Sequence, residues 1–155
     1  MDKTRPDIAG SQQLVDVFGY WPSFHDAEVM RFSLDRSGSG EMPGPTAEAV
    51  IHVFEMTPEV GPGGTYVLKN HSLVTLRFYA VVELEVQGFG EQNALWGLQI
   101  INIAERQLER VRFDIQFQGS YGMDAGFQCY SVEVLSVEPY GEEGASPPIP
   151  GPYPG

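Results

Sequence analysis

The 155 residues are 42% hydrophobic and carry 9 Lys+Arg against 21 Asp+Glu, a formal net charge of -12. A chain of that size suits one domain with a real core. So acidic a balance disfavours nucleic acid and anionic lipid, which both need clustered cations, and permits a basic protein partner reached by electrostatic steering.

Cys129 is the lone cysteine, so no intrachain disulfide can form and a reducing compartment is favoured. Met1 to Asp7 lacks the apolar stretch of a signal peptide. No run approaches the roughly 20 apolar residues of a membrane span. The expected location is the cytoplasm. Residues 1–10 read as a flexible arm, 11–140 as a single β-rich domain, and 141–155 as a Pro/Gly-rich tail without an apolar period.

Ser11 is positioned to cap a short helix through Val17 or Phe18, stopped by Gly19, with Leu14, Val15 and Phe18 as its apolar stripe. Isolated helices below ~12 residues are marginal. Packing must therefore hold this one, over an open face or edge of the strands that follow. From Glu28 onward the period is two. Met30, Phe32 and Leu34 alternate with Arg31, Ser33 and Asp35 in a first strand, and a turn-rich segment spans 36–45. Ala47 to Phe54 reads as a second strand and Thr57 to Gly64 as a loop. The clearest run follows. Val74, Leu76, Phe78, Ala80, Val82, Leu84 and Val86 share one face, with Thr75, Arg77, Tyr79, Glu83, Glu85 and Gln87 opposite. A strand so long predicts an internal bend or bulge. Leu98 to Ile103 is a further strand, and Ala104 to Glu109 a turn or short helix. Val111, Phe113, Ile115 and Phe117 alternate with polar neighbours, as in a strand with one wet face. Gly119 to Gly126 is a glycine-rich loop, and Phe127 to Val137 a last strand with Tyr130, Val132 and Val134 on one face. The sum is mainly β, α+β only at the margin. It is an antiparallel sheet, sandwich or half-barrel of about six strands with one short N-terminal helix.

The octet Trp21-Pro22-Ser23-Phe24-His25-Asp26-Ala27-Glu28 holds the densest set of groups able to do more than fill a core. A histidine beside carboxylates suits a metal site or general base. An extended backbone, however, would set Asp26 and Glu28 on one side and His25 on the other. A metal would then need remote help from His52 or His71. The structural reading gives Asp26 a turn-forming hydrogen bond and His25 a backbone partner. Trp21 and Phe24 are core plugs, or anchors at a partner surface, where aromatics are enriched. Glu83 and Glu85 share a wet face. They suit either a basic partner surface or the charged protection that edge strands carry. Gly61-Pro62-Gly63-Gly64 lacks the Lys-Ser/Thr of a phosphate loop, and no Gly-x-Ser-x-Gly elbow is present. Cys129 has no basic neighbour in sequence, which predicts a packed, inert thiol. The residues therefore leave three readings: a binding protein, a small metal-dependent hydrolase using His25, Asp26 and Glu28, or a carbohydrate or small-ligand module stacking on Trp21, Trp96 or Tyr79.

Over Tyr20 to Leu34 the chain resembles the immunity protein 50 family of bacterial polymorphic toxin systems. Members carry a Trp-x-Ser-Phe-His-Asp-Ala/Ser-Glu motif just ahead of a first strand. The resemblance implies a protein that neutralises a cognate toxin by stoichiometric occlusion, with no reaction catalysed and no cofactor or metal. A basic, nuclease-like toxin would suit the acidic balance. No toxin-contact role is carried over to Trp21, Phe24, His25, Asp26 or Glu28, which are either fold-holding or partner-binding.

Overall fold

The computed structural model describes residues 8–38 and 43–140. The helix α1 spans Ser11–Phe18, and the strands are β1 Glu28–Asp35, β2 Thr46–Val60, β3 Tyr66–Tyr79, β4 Val82–Gln87, β5 Ala94–Asn102, β6 Phe113–Tyr121, β7 Asp124–Cys129 and β8 Ser131–Pro139. They form one antiparallel sheet in the order β4-β7-β6-β5-β1-β2-β3-β8. The class is mainly β as expected, with eight strands in place of six.

Two corners account for the difference. The run expected as one strand from Val74 to Val86 turns at Ala80, whose φ of 57° is left-handed, and becomes β3 and β4. The run from Phe127 to Val137 turns at Tyr130 and becomes β7 and β8. The corners coincide, because Tyr130 N–H donates to the Tyr79 carbonyl at 2.8 Å. On one side β3 pairs β8 (Tyr79 with Ser131), and on the other β4 pairs β7 (Val82 with Gln128). Two long paired strands thus cross from one half of the sheet to the other, a device that lets a sheet fold over its own core.

The halves β1-β2-β3-β8 and β5-β6-β7-β4 meet along a short seam, where Glu28 opposes Ala94. Between them lie Phe32, Phe78, Phe117 and Phe127, with ring centroids 5.0 to 6.3 Å apart. Alternation puts Val74, Leu76 and Phe78 inward and fully buried. Full burial of each such side chain contributes about 1.5–3 kcal/mol. Met30 departs from the expected alternation and is exposed, because β1 bulges between Val29 and Arg31.

Gly10, not Ser11, occupies the helix cap, with φ 79° and no side-chain hydrogen bond. A Cβ at Gly10 would lie 2.3 Å from the Val134 carbonyl oxygen, so only glycine allows the close approach. Gly19 ends the helix, its N–H on the Val15 carbonyl at 2.7 Å. The helix packs beside β8. Val134 N–H donates to the Ala9 carbonyl at 2.8 Å, and Gln13 Nε2 donates to the Val134 carbonyl at 3.0 Å. The edge of β8 is thereby covered, with Ile8 buried and Ala9 bridging Glu133. Residues 1–7 and 141–155 lie outside the described residues. Among the described residues no helix is long and apolar enough to cross a membrane.

Candidate functional site

The octet lies on the seam between the two halves. Its backbone is not extended, because Phe24 and Asp26 have φ of 67° and 68°. For a bulky residue such as phenylalanine this conformation is a genuine outlier and costs on the order of 1–3 kcal/mol. Local bonds fix it. Ala27 N–H donates to the Phe24 carbonyl at 3.1 Å, Asp26 N–H to the Leu95 carbonyl at 2.8 Å, and Leu95 N–H to the Ala27 carbonyl at 2.8 Å. His25 N–H also donates to Ser23 Oγ at 3.2 Å.

The two left-handed residues sort the octet into inward and outward groups. Pro22, Phe24, Ala27 and Glu28 are buried, whereas Ser23, His25 and Asp26 are exposed. Trp21 is half-buried, its ring centroid 5.9 Å from that of Phe24. The expected pairing of Asp26 with Glu28 on one side is corrected. Asp26 turns to the side of His25, with Oδ2 at 3.7 Å from Nε2, and Glu28 turns into the protein.

Glu28 locks the loop before β5. Its Oε2 accepts the Asn93 backbone N–H at 2.6 Å. The Asn93 side chain donates to the Val29 carbonyl at 3.2 Å and the Gly90 carbonyl at 3.0 Å, and accepts from Gly90 N–H at 2.9 Å. Burial raises the Glu28 carboxyl above its ordinary range, and the Asn93 N–H opposes that shift.

Opposite His25 stands Trp96. On β5, Leu95 opposes Gly119 and Gly97 opposes Gln118, so Trp96 is an extra residue turned out of the ladder. Bulges re-aim side chains in this way. Trp96 is 64% exposed. His25 Nδ1 lies 3.0 Å from the Trp96 carbonyl, and the imidazole meets the indole edge-on with centroids 4.8 Å apart. Around them is an open groove of about 630 Å³, with Tyr20, Trp21, Phe54 and Met56 as its apolar rim. Asp26 and Glu55 are the formal charges on that lining, and no Lys or Arg is among the described residues there.

Sequence reasoning missed Tyr20, Phe54, Glu55 and Met56 as members of this groove. A signal for Trp96 was present in Gly97, since glycine within a strand pattern marks a bulge. Tyr79 lies elsewhere, on the outer face of β3, with its Oη donating to Glu133 at 2.5 Å. Glu83 and Glu85 do share a face. They line a polar trough of about 470 Å³ with Asp114 and Asp124.

The remaining titratable groups are elsewhere. His52 Nε2 and His71 Nδ1 are 3.0 Å apart, and desolvation lowers His52 to about 4, helped by His71. Burial also lowers His71. Cys129 is buried, and burial, then the nearby Asp114, push its thiol up to about 12. That thiol is packed as expected, and a raised pKa leaves it little thiolate at neutral pH. Among the described residues no three His, Cys, Asp or Glu side chains are grouped to hold a metal ion.

The geometry is that of an aromatic-rimmed surface groove held from beneath by the Glu28–Asn93 hydrogen bonds. The family model described as Immunity protein 50 matches residues 10–140. No curated protein and no solved structure matches the chain.

Proposed function

The chain belongs to the immunity protein 50 family, and from that premise we propose that it is a bacterial cytoplasmic immunity protein that neutralises a cognate toxin by stoichiometric occlusion. No reaction is part of this reading. The observation that carries it is the split octet. Its buried half, Phe24, Ala27 and Glu28, fixes the backbone, while its exposed half holds His25 and Asp26 beside the bulged Trp96. A surface ordered before binding loses little freedom on association, which favours affinity. Tryptophan is enriched among interface hot spots, and Trp96 is 64% exposed. The net charge of -12 favours a basic toxin, with nucleases as one such class.

The hydrolase reading loses its footing, because Glu28 faces away from His25 and Asp26. A small-ligand reading retains one observation, the exposed Trp96 ring able to stack on a sugar. The test is to sequence the neighbouring open reading frames for a toxin domain and to co-express the chain with it. Survival of the cells, with a complex of fixed 1:1 mass on size-exclusion chromatography with light scattering, is the expected result. Cell death with no complex would defeat the proposal.

A further inference from the structure

We propose that the groove receives an arginine of the toxin, its guanidinium laid on the Trp96 ring and its N–H groups turned to the Asp26 carboxylate. The inference rests on the toxin-binding reading and names the chemistry of the contact.

Three independent features support it. The first is charge. The lining holds two carboxylates, Asp26 and Glu55, and no Lys or Arg; Lys69 stands opposite Glu55 in the β2–β3 ladder, so Asp26 is the carboxylate left to a partner's cation. The groove is thus complementary to a cation. The second is geometry. His25 touches both partners of the proposed contact, with Nε2 at 3.7 Å from Asp26 Oδ2 and its ring 4.8 Å from the Trp96 ring. Carboxylate and indole therefore both contact one imidazole and line the same groove. The third is order. Trp96 stands on a bulge with its carbonyl bonded to His25, and Asp26 stands on a left-handed residue whose N–H is tied to the Leu95 carbonyl. Neither needs rearrangement to bind.

Arginine fits better than lysine. A planar guanidinium stacks on an indole face while its edge donates to a carboxylate in a fixed fork. A lysine ammonium is a strongly hydrated point charge and gains less from a ring that remains partly wet. The acidic trough at Glu83 and Glu85 also attracts cations, but it offers no exposed aromatic ring. It is suited to steering the encounter rather than anchoring it.

The experiment uses the full chain and the toxin domain encoded beside it, with binding followed by calorimetry. Trp96→Ala and Asp26→Asn should each raise Kd by about tenfold or more. Asn tolerates the left-handed backbone at position 26, and the exposed Trp96 leaves no core cavity, so both variants should keep the wild-type melting temperature. Glu85→Gln, in the trough, should change Kd by less than about threefold. An alanine scan of the toxin's arginines should find one whose loss masks the Asp26→Asn effect. Wild-type affinity in Trp96→Ala and Asp26→Asn would overturn the groove assignment and leave the immunity reading standing. Absence of any complex with the wild-type chain would overturn both. A masking residue that is not an arginine would also overturn the assignment.

Discussion

Glu28 shows how one side chain can hold a site without belonging to its surface. Its carboxylate is buried and accepts the Asn93 N–H, and Asn93 in turn ties the Gly90 loop and the end of the β1 seam. Removing the acceptor leaves a buried donor unsatisfied, at a cost of about 1–3 kcal/mol. Glu28→Ala should therefore lose about 2 kcal/mol in urea unfolding at pH 7. Glu28→Gln keeps an acceptor oxygen and removes a charge that burial disfavours, so it should match or exceed the wild type. Equal loss in both variants would mean that charge, not hydrogen bonding, is what the loop requires. The density of the octet was legible in the sequence, and so was its division between scaffold and surface as a question. Its answer was not. The side on which His25 and Asp26 emerge depends on two left-handed backbones, at Phe24 and Asp26, and no residue there is the glycine that would announce such a turn.

At the scale of elements, periodicity identified faces and missed corners. In the sequence the apolar positions from Val74 to Val86 keep one period through Ala80 and across the corner from β3 to β4, with no glycine or proline to mark the break. A bend was expected there from length alone, and the second bend, at Tyr130, had no such warning. The rim residues Phe54 and Met56 reach the groove because the β2–β3 ladder shifts register between Val53 and Glu55, where Asn70 is left-handed at φ 58°. Local pattern cannot see a register shift set by the partner strand. The same pair of strands carries a histidine clasp. His52 on β2 bonds His71 on β3, and Tyr140, just after β8, packs its ring 4.9 Å from His52 while its N–H donates to the His71 carbonyl at 3.0 Å. The clasp predicts a pH dependence with a definite sign. Unfolded, His52 takes a proton near pH 6.5. Folded, burial and His71 hold it neutral down to about 4. Between these values the unfolded chain binds more protons, so stability falls as pH drops through that window and is flat above it. The loss should be on the order of 1–2 kcal/mol after allowance for partial solvent contact. His52→Phe should flatten the curve between about pH 7 and 5 in chemical denaturation. An unchanged slope in that variant would assign the effect to other groups.

For the molecule as a whole, the controlling quantity is the excess of acid over base. With 21 acidic and 9 basic residues the folded chain repels itself. Little of the repulsion is paired off locally. The Arg77–Glu48 contact at 2.9 Å is one-third exposed at both side chains, and such surface pairs contribute at most about 1 kcal/mol. The trough adds to it, gathering Glu83, Glu85, Asp114 and Asp124 on the outer face of one half-sheet. Compaction brings these charges together, whereas the unfolded chain spreads them. Screening should therefore stabilise the fold. Raising sodium chloride from about 10 mM to about 300 mM shortens the Debye length from about 30 Å to about 6 Å, and the melting temperature should rise by several degrees. A neutral osmolyte at matched osmolality separates screening from general exclusion, because it acts on all buried surface regardless of charge. Folding and the binding of a basic partner should respond to salt in opposite senses. If the partner is basic, the same salt that stabilises the free protein slows their association, since steering depends on the unscreened field. A melting temperature that is flat or falling with salt would show that the acidic groups are balanced within the fold, and would remove the electrostatic case for a basic partner along with it.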